Sequence, residues 1–129
     1  MEFNQYNTTV QQWIHTVLEN RETNADVVLE CCRDIIAYGR KTDDPKLMGF
    51  GFFYGGEIYY ELNDGAHFFH MMTEALTYLD RAEEWELVVR CYNFLGIASM
   101  SRGNPSLALD YYMNVLRTVI HMIFQCKRL

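Results

Sequence analysis

Residues with reactive or ligating side chains are few, and their spacing decides what each could do. His67, His70 and Glu74 stand at i, i+3 and i+7. On a helix they share one face, and imidazole plus carboxylate is a donor set that suits zinc. One helix alone contributes, however, and no second cluster completes the shell. The expectation is that His67 and His70 cap polar space near the Asn63-Asp64 turn. His15 and His121 stand alone in apolar segments and read as packed or surface histidines. Gly55-Gly56-Glu57-Ile58-Tyr59 could form a nucleotide-binding turn, but Gly56 is in phase with Gly96 forty residues on, which marks a helix-packing pair. There is no Gly-rich phosphate loop of either common type. Cys31, Cys32, Cys91 and Cys126 include no Cys-x-x-Cys pair and no finger-spaced histidine. Neighbouring Cys31 and Cys32 would leave a helix on different faces, so all four read as reduced, mostly buried thiols. No catalytic residue, cofactor site or metal site is expected, and the chain reads as a non-enzyme.

Aromatic residues offer a different chemistry, that of binding. Phe50, Phe52, Phe53, Tyr54, Tyr59 and Tyr60 crowd one segment, more than a two-helix sandwich can bury on every side. In helical repeat arrays the first helices line a concave groove that holds peptides or protein segments. Tyr54, Tyr60 and Asn93 are the groove candidates; ordinary packing between hairpins is the competing reading. Asp43-Asp44 and Glu83-Glu84-Glu86 could attract a basic partner, but both clusters sit where helices begin and suit the macrodipole there.

The elements that must position these residues are helices. The 129 residues fit a single domain, and with 50% hydrophobic and 22% charged residues the chain is not disordered. A net charge of −6 argues against nucleic acid as a partner. The amino terminus lacks a signal-peptide pattern. The longest nearly uncharged stretch, 47–56, is far short of the ~20 residues of a membrane helix. No membrane partner is expected, and the location expected is cytoplasmic. Strict apolar alternation is missing, so nothing demands a sheet. Turn chemistry at 20–24, 42–45, 63–65 and 102–105, with a weaker break at 80–84, leaves six segments of roughly 7–20, 25–41, 45–62, 66–81, 84–102 and 105–125. Short connections make neighbouring helices antiparallel.

The segments repeat in pairs. Phe52, Gly56 and Tyr59 precede Tyr92, Gly96 and Ser99 by 40 residues, and Phe68, Met72 and Ala75 precede Ala108, Tyr112 and Val115 by the same step. A small residue at Gly56 or Gly96 lets two helices of a hairpin approach, and Phe52 or Tyr92 fills the gap beside it. Tyr92-x-x-Leu95-Gly96 followed by Ala108-x-x-x-Tyr112 resembles the tetratricopeptide repeat. The departures are Ser99 in place of an aromatic, Phe68 in place of a small residue, no closing proline near Ile120, and a 40-residue period that asks for longer helices. The first pair offers only Trp13 as an anchor. The resemblance implies an all-α, right-handed α-solenoid of three helical hairpins, about 7–41, 45–81 and 84–125.

A closer likeness lies in Glu86-Leu87-Val88-Val89-Arg90-Cys91-Tyr92-Asn93-Phe94-Leu95-Gly96-Ile97 and in Tyr59-Tyr60-Glu61-Leu62-Asn63-Asp64. Both are similar to the amino-terminal repeat region of bacterial diguanylate cyclases that carry a GGDEF domain. That likeness implies a sensory or regulatory arm without activity of its own. A peptide-sensing transcription regulator lacking its DNA-binding part is the alternative. The last segment is very apolar through Met113, Val115, Val119, Ile120, Met122, Ile123 and Phe124. Repeat arrays usually end in a polar cap. The expectation is that the array is cut short here, with the apolar end covered by a homodimer or by another protein or peptide segment.

Overall fold

The computed structural model describes residues 1–127, with side chains described as far as Gln125, so the expectation for Cys126 falls outside the described residues. Six helices account for nearly all of it: α1 (Thr8–Asn20), α2 (Ala25–Lys41), α3 (Pro45–Glu61), α4 (Gly65–Arg81), α5 (Trp85–Ser101) and α6 (Pro105–Lys127). There is no strand among the described residues. The all-α hairpin arrangement is therefore as expected from the segment pattern. By packing, the chain divides into two compact units, Met1–Ala82 and the hairpin from Glu83 onward. The division falls at the weaker break of the sequence.

The connectors explain why these helices start and stop where they do. Asp43, Asn63, Glu83 and Gly103 all have positive φ, and they are spaced twenty residues apart. At three of the joints the bonding around them is the Schellman pattern. Asp43 N–H donates to Arg40 O and Asp44 N–H to Gly39 O, with the same pairs at Asn63-Asp64 and Gly103-Asn104. The residue after the left-handed one then caps the next helix. The side-chain oxygens of Asp44, Asp64 and Asn104 accept from the backbone N–H three residues on. Asn24 does the same for α2. Glu84 makes no such bond for α5. Each of these joints thus ends one helix and begins another with no spare residue, and α2 to α5 are each 17 residues long.

Within the first unit α3 is the centre. Residues 47–58 are all buried, as an all-round apolar helix requires. Its glycines admit its neighbours. A Cβ at Gly51 would stand 2.6 Å from Ile36 Cγ1 and 3.1 Å from the Cys32 carbonyl of α2. A Cβ at Gly56 would stand 3.1 Å from Met72 Cε of α4. In the second unit a Cβ at Gly96 would lie 2.5 Å from the Tyr112 ring. Gly56 with Met72 and Gly96 with Tyr112 are the same contact one repeat apart, so the packing roles read for Gly56, Gly96 and Tyr112 rest on real close approaches. Leu95 and Ala108 are buried, Phe52 stacks on Tyr78 at 5.8 Å, and Tyr92 leans on Tyr111. Ser99 is buried and its hydroxyl donates back to Leu95 O, which satisfies a polar group where the repeat usually has a ring. The first hairpin keeps the phase too, because Val28, Phe68 and Ala108 are all buried at successive steps of forty.

Candidate functional site

The most polar constellation in the first unit joins a connector to the central helix. Arg21 follows the last residue of α1, and Glu57 lies on α3 and is only 8% exposed. The guanidinium grips the carboxylate with both arms, Nε to Oε1 at 2.8 Å and Nη2 to Oε2 at 2.6 Å. Its Cζ lies 5.1 Å from the centroid of the Tyr54 ring, one helical turn before Glu57. Burial works to lower the Arg21 pKa, but the hydrogen bonds to Glu57 and its charge outweigh that and raise it above the ordinary value. Both oxygens of the Glu57 carboxylate are engaged by the one guanidinium. Its chemistry is that of a clamp.

This geometry corrects the reading of Tyr54 as a groove residue. Tyr54 is 6% exposed, packed under Arg21 and against Phe50 and Phe53 at 4.6 and 4.9 Å. Its ring is part of the clamp and the core. Tyr60 is half-buried on Phe68 at 5.3 Å, while Asn93 is exposed on α5. The clamp is hard to read from the residues alone, because Arg21 sits in a polar break and Glu57 follows two glycines. The one available signal was an acid in the interior of an apolar helix.

Of the histidines, His67 stands beside the Asp64 cap of α4. His67 donates its backbone N–H to Asp64 Oδ1, brings Nδ1 to 2.7 Å from Asp64 Oδ2, and stacks on Tyr59 at 4.7 Å. The backbone bond from His67, ahead of its side-chain bond and charge, holds the Asp64 carboxyl below the usual range. Among the described residues no three His, Cys, Asp or Glu side chains come together to hold a metal.

A cleft of about 210 Å³ opens among α2, α3 and α4, lined by Leu29, Cys32, Arg33, Ile36, Tyr59 and Met71. Its thiol is inert. Burial, ahead of the charges of Cys31 and Glu57, pushes Cys32 far above the ordinary thiol range. Burial likewise pushes Cys91 up to about 12 and raises half-buried Cys31. All three are free thiols.

The largest open feature belongs to the second unit. Leu109, Tyr112, Met113, Leu116, Val119, Ile120, Ile123 and Phe124 on α6 are all exposed, Leu109 to 61%, Leu116 to 53% and Phe124 to 59%. At 100° per residue these eight fall on one side of the helix, within an arc of about 140°. The adjoining face, through Ala108 and Tyr111, packs on α5, and Tyr112 at the edge of the arc lies over Gly96. No helix among the described residues is long and apolar enough to cross a membrane. Comparison of the chain with protein-family models, with curated proteins and with solved structures finds no match.

Proposed function

We propose that the chain is a non-catalytic helical-repeat module that works by binding a protein or peptide segment, as a sensory or regulatory arm in bacterial cytoplasmic signalling. The carrying observation is the apolar side of α6. Monomeric proteins seldom leave a contiguous apolar patch beyond a few hundred Å² uncovered, and eight exposed apolar side chains in one arc exceed that. The repeat phase of Phe52, Gly56, Tyr59 with Tyr92, Leu95, Gly96, and the likeness of these segments to the repeat arm of diguanylate cyclases, support the signalling setting. A homodimer through α6 is one way to cover this surface.

A photo-crosslinking amino acid at position 116 tests the reading. Irradiation in cells is expected to give discrete protein adducts that are absent with the same probe at exposed Asp34. Equal or absent adducts at both positions overturn it. The coding sequence downstream tests the signalling setting, which a GGDEF domain in the same frame would support and an unrelated gene would remove.

A further inference from the structure

The apolar side of α6 has a finer order than exposure alone. Leu109, Leu116 and Ile123 recur every seven residues, and so do Tyr112 with Val119 and Met113 with Ile120. These are the a, d and e positions of a heptad, here on a face open to solvent. The set is also symmetric about Leu116, with apolar residues at three, four and seven positions to either side. A two-fold interface uses one patch twice and so must be complementary to itself. This patch meets that condition. We infer that a second copy of this chain occupies it, with α6 packed antiparallel on α6 across a two-fold axis at Leu116.

In that arrangement Leu109 of one copy faces Ile123 of the other, Tyr112 faces Ile120, Met113 faces Val119, and Leu116 meets its own counterpart. Antiparallel packing also opposes the two helix dipoles. The area is sufficient. With full side-chain areas on the order of 200 Å², these eight residues leave on the order of 800 Å² uncovered, close to the ~800 Å² per partner of a standard interface. Charged Asp110 and Arg117 lie beside the stripe, off its apolar centre, where each stays in water at the rim. The inference rests on the interaction reading above and names its partner.

Sedimentation equilibrium of the purified chain tests it, with Leu116→Glu as the variant. Leu116 is 53% exposed, so the variant is expected to keep its helical circular dichroism. The wild type is expected to be a dimer at tens of micromolar, and Leu116→Glu is expected to weaken it by about 100-fold or more, as for a central interface residue. A second measurement is independent of stability. With Cys31 and Cys126 changed to serine, Leu116→Cys is expected to oxidise to a cross-linked dimer, Leu109→Cys is not, and the Leu109→Cys/Ile123→Cys pair is. A monomer at 100 μM overturns the inference, as does a dimer indifferent to Leu116→Glu, or Leu109→Cys cross-linking to itself as readily as Leu116→Cys. A monomer that still gives protein adducts at position 116 in cells removes this inference and leaves the interaction reading standing.

Discussion

Removing the Arg21 guanidinium strands the Glu57 carboxylate. In Arg21→Met the apolar stem is retained, so packing along Tyr54 changes little. What is lost is the pair of hydrogen bonds at 2.8 and 2.6 Å to an acid that is 8% exposed. Breaking a buried ion pair from one side costs about 3–5 kcal/mol. The Arg21 side chain is 29% exposed, so water recovers part of that, and about 2–4 kcal/mol is expected. For a unit of this size each kcal/mol moves the melting temperature by roughly 4–8 °C. A fall of at least ~8 °C is therefore expected in circular dichroism at 222 nm, with about 2–4 kcal/mol lost in urea titration. Arg21→Lys keeps the charge but loses the two-armed grip on Glu57, and is expected to lose about half as much. Arg21→Met/Glu57→Leu removes both charges and is expected to return to within about 1 kcal/mol of wild type. An Arg21→Met protein within 0.5 kcal/mol of wild type, or a double variant as weak as the single, would refute the clamp.

Further expectations follow from space, caps and ionisation. Gly51→Ala meets Ile36 and the Cys32 backbone, and is expected to cost about 2 kcal/mol, whereas Gly55→Ala meets little but the mobile end of Met71 and is expected to be neutral or to gain up to ~1 kcal/mol from helix propensity, both by urea denaturation. Glu83→Gly relieves a left-handed glutamate and Glu84→Asp supplies the missing cap of α5, so each is expected to stabilise by about 0.5–1 kcal/mol in the same assay. In native protein at pH 8, iodoacetamide with peptide mass spectrometry is expected to label Cys31 well ahead of Cys32 and Cys91, whose thiolates burial suppresses; equal labelling would contradict it. Asp64 is held ionised by His67, so its contribution to the start of α4 is present at neutral pH and lost only as pH falls below 3.8, which a carboxyl NMR titration of Asp64 would read directly.

Much of the architecture was legible because it is written in punctuation. Pro45 and Pro105 at the first turn, Asp44, Asp64 and Asn104 as caps, and Gly103 before a cap are local signals that need no tertiary partner. The forty-residue phase was legible for the same reason, since Gly56 and Gly96 mark where helices must touch. The clamp was hidden because it is non-local. Thirty-six residues separate Arg21 from Glu57, and neither residue type announces a partner at that distance. The place of Tyr54, a groove candidate that is packed in the core, was hidden for a related reason. Counting aromatics shows that a helix has too many for one face, yet the count does not reveal which ring a distant arginine will cover.

The twenty-residue cadence of the joints carries a consequence for how such a chain can change length. A deletion from Pro45 to Glu84 would remove two helices and bring Asp44 directly before Trp85, with a cap still at the start of the next helix. Removing only twenty residues would also leave a well-formed joint, but it would exchange odd for even helices. A partner of the wide, gly-poor sort would then fall where the glycine-floored α3 had been, and side chains would meet where a Cβ has no room. Local grammar tolerates either cut, and only the cut of forty residues keeps an odd helix after an even one, with Gly96 arriving at the step of Gly56. The chain therefore has a parity, and insertions or losses conserve it only in steps of whole hairpins.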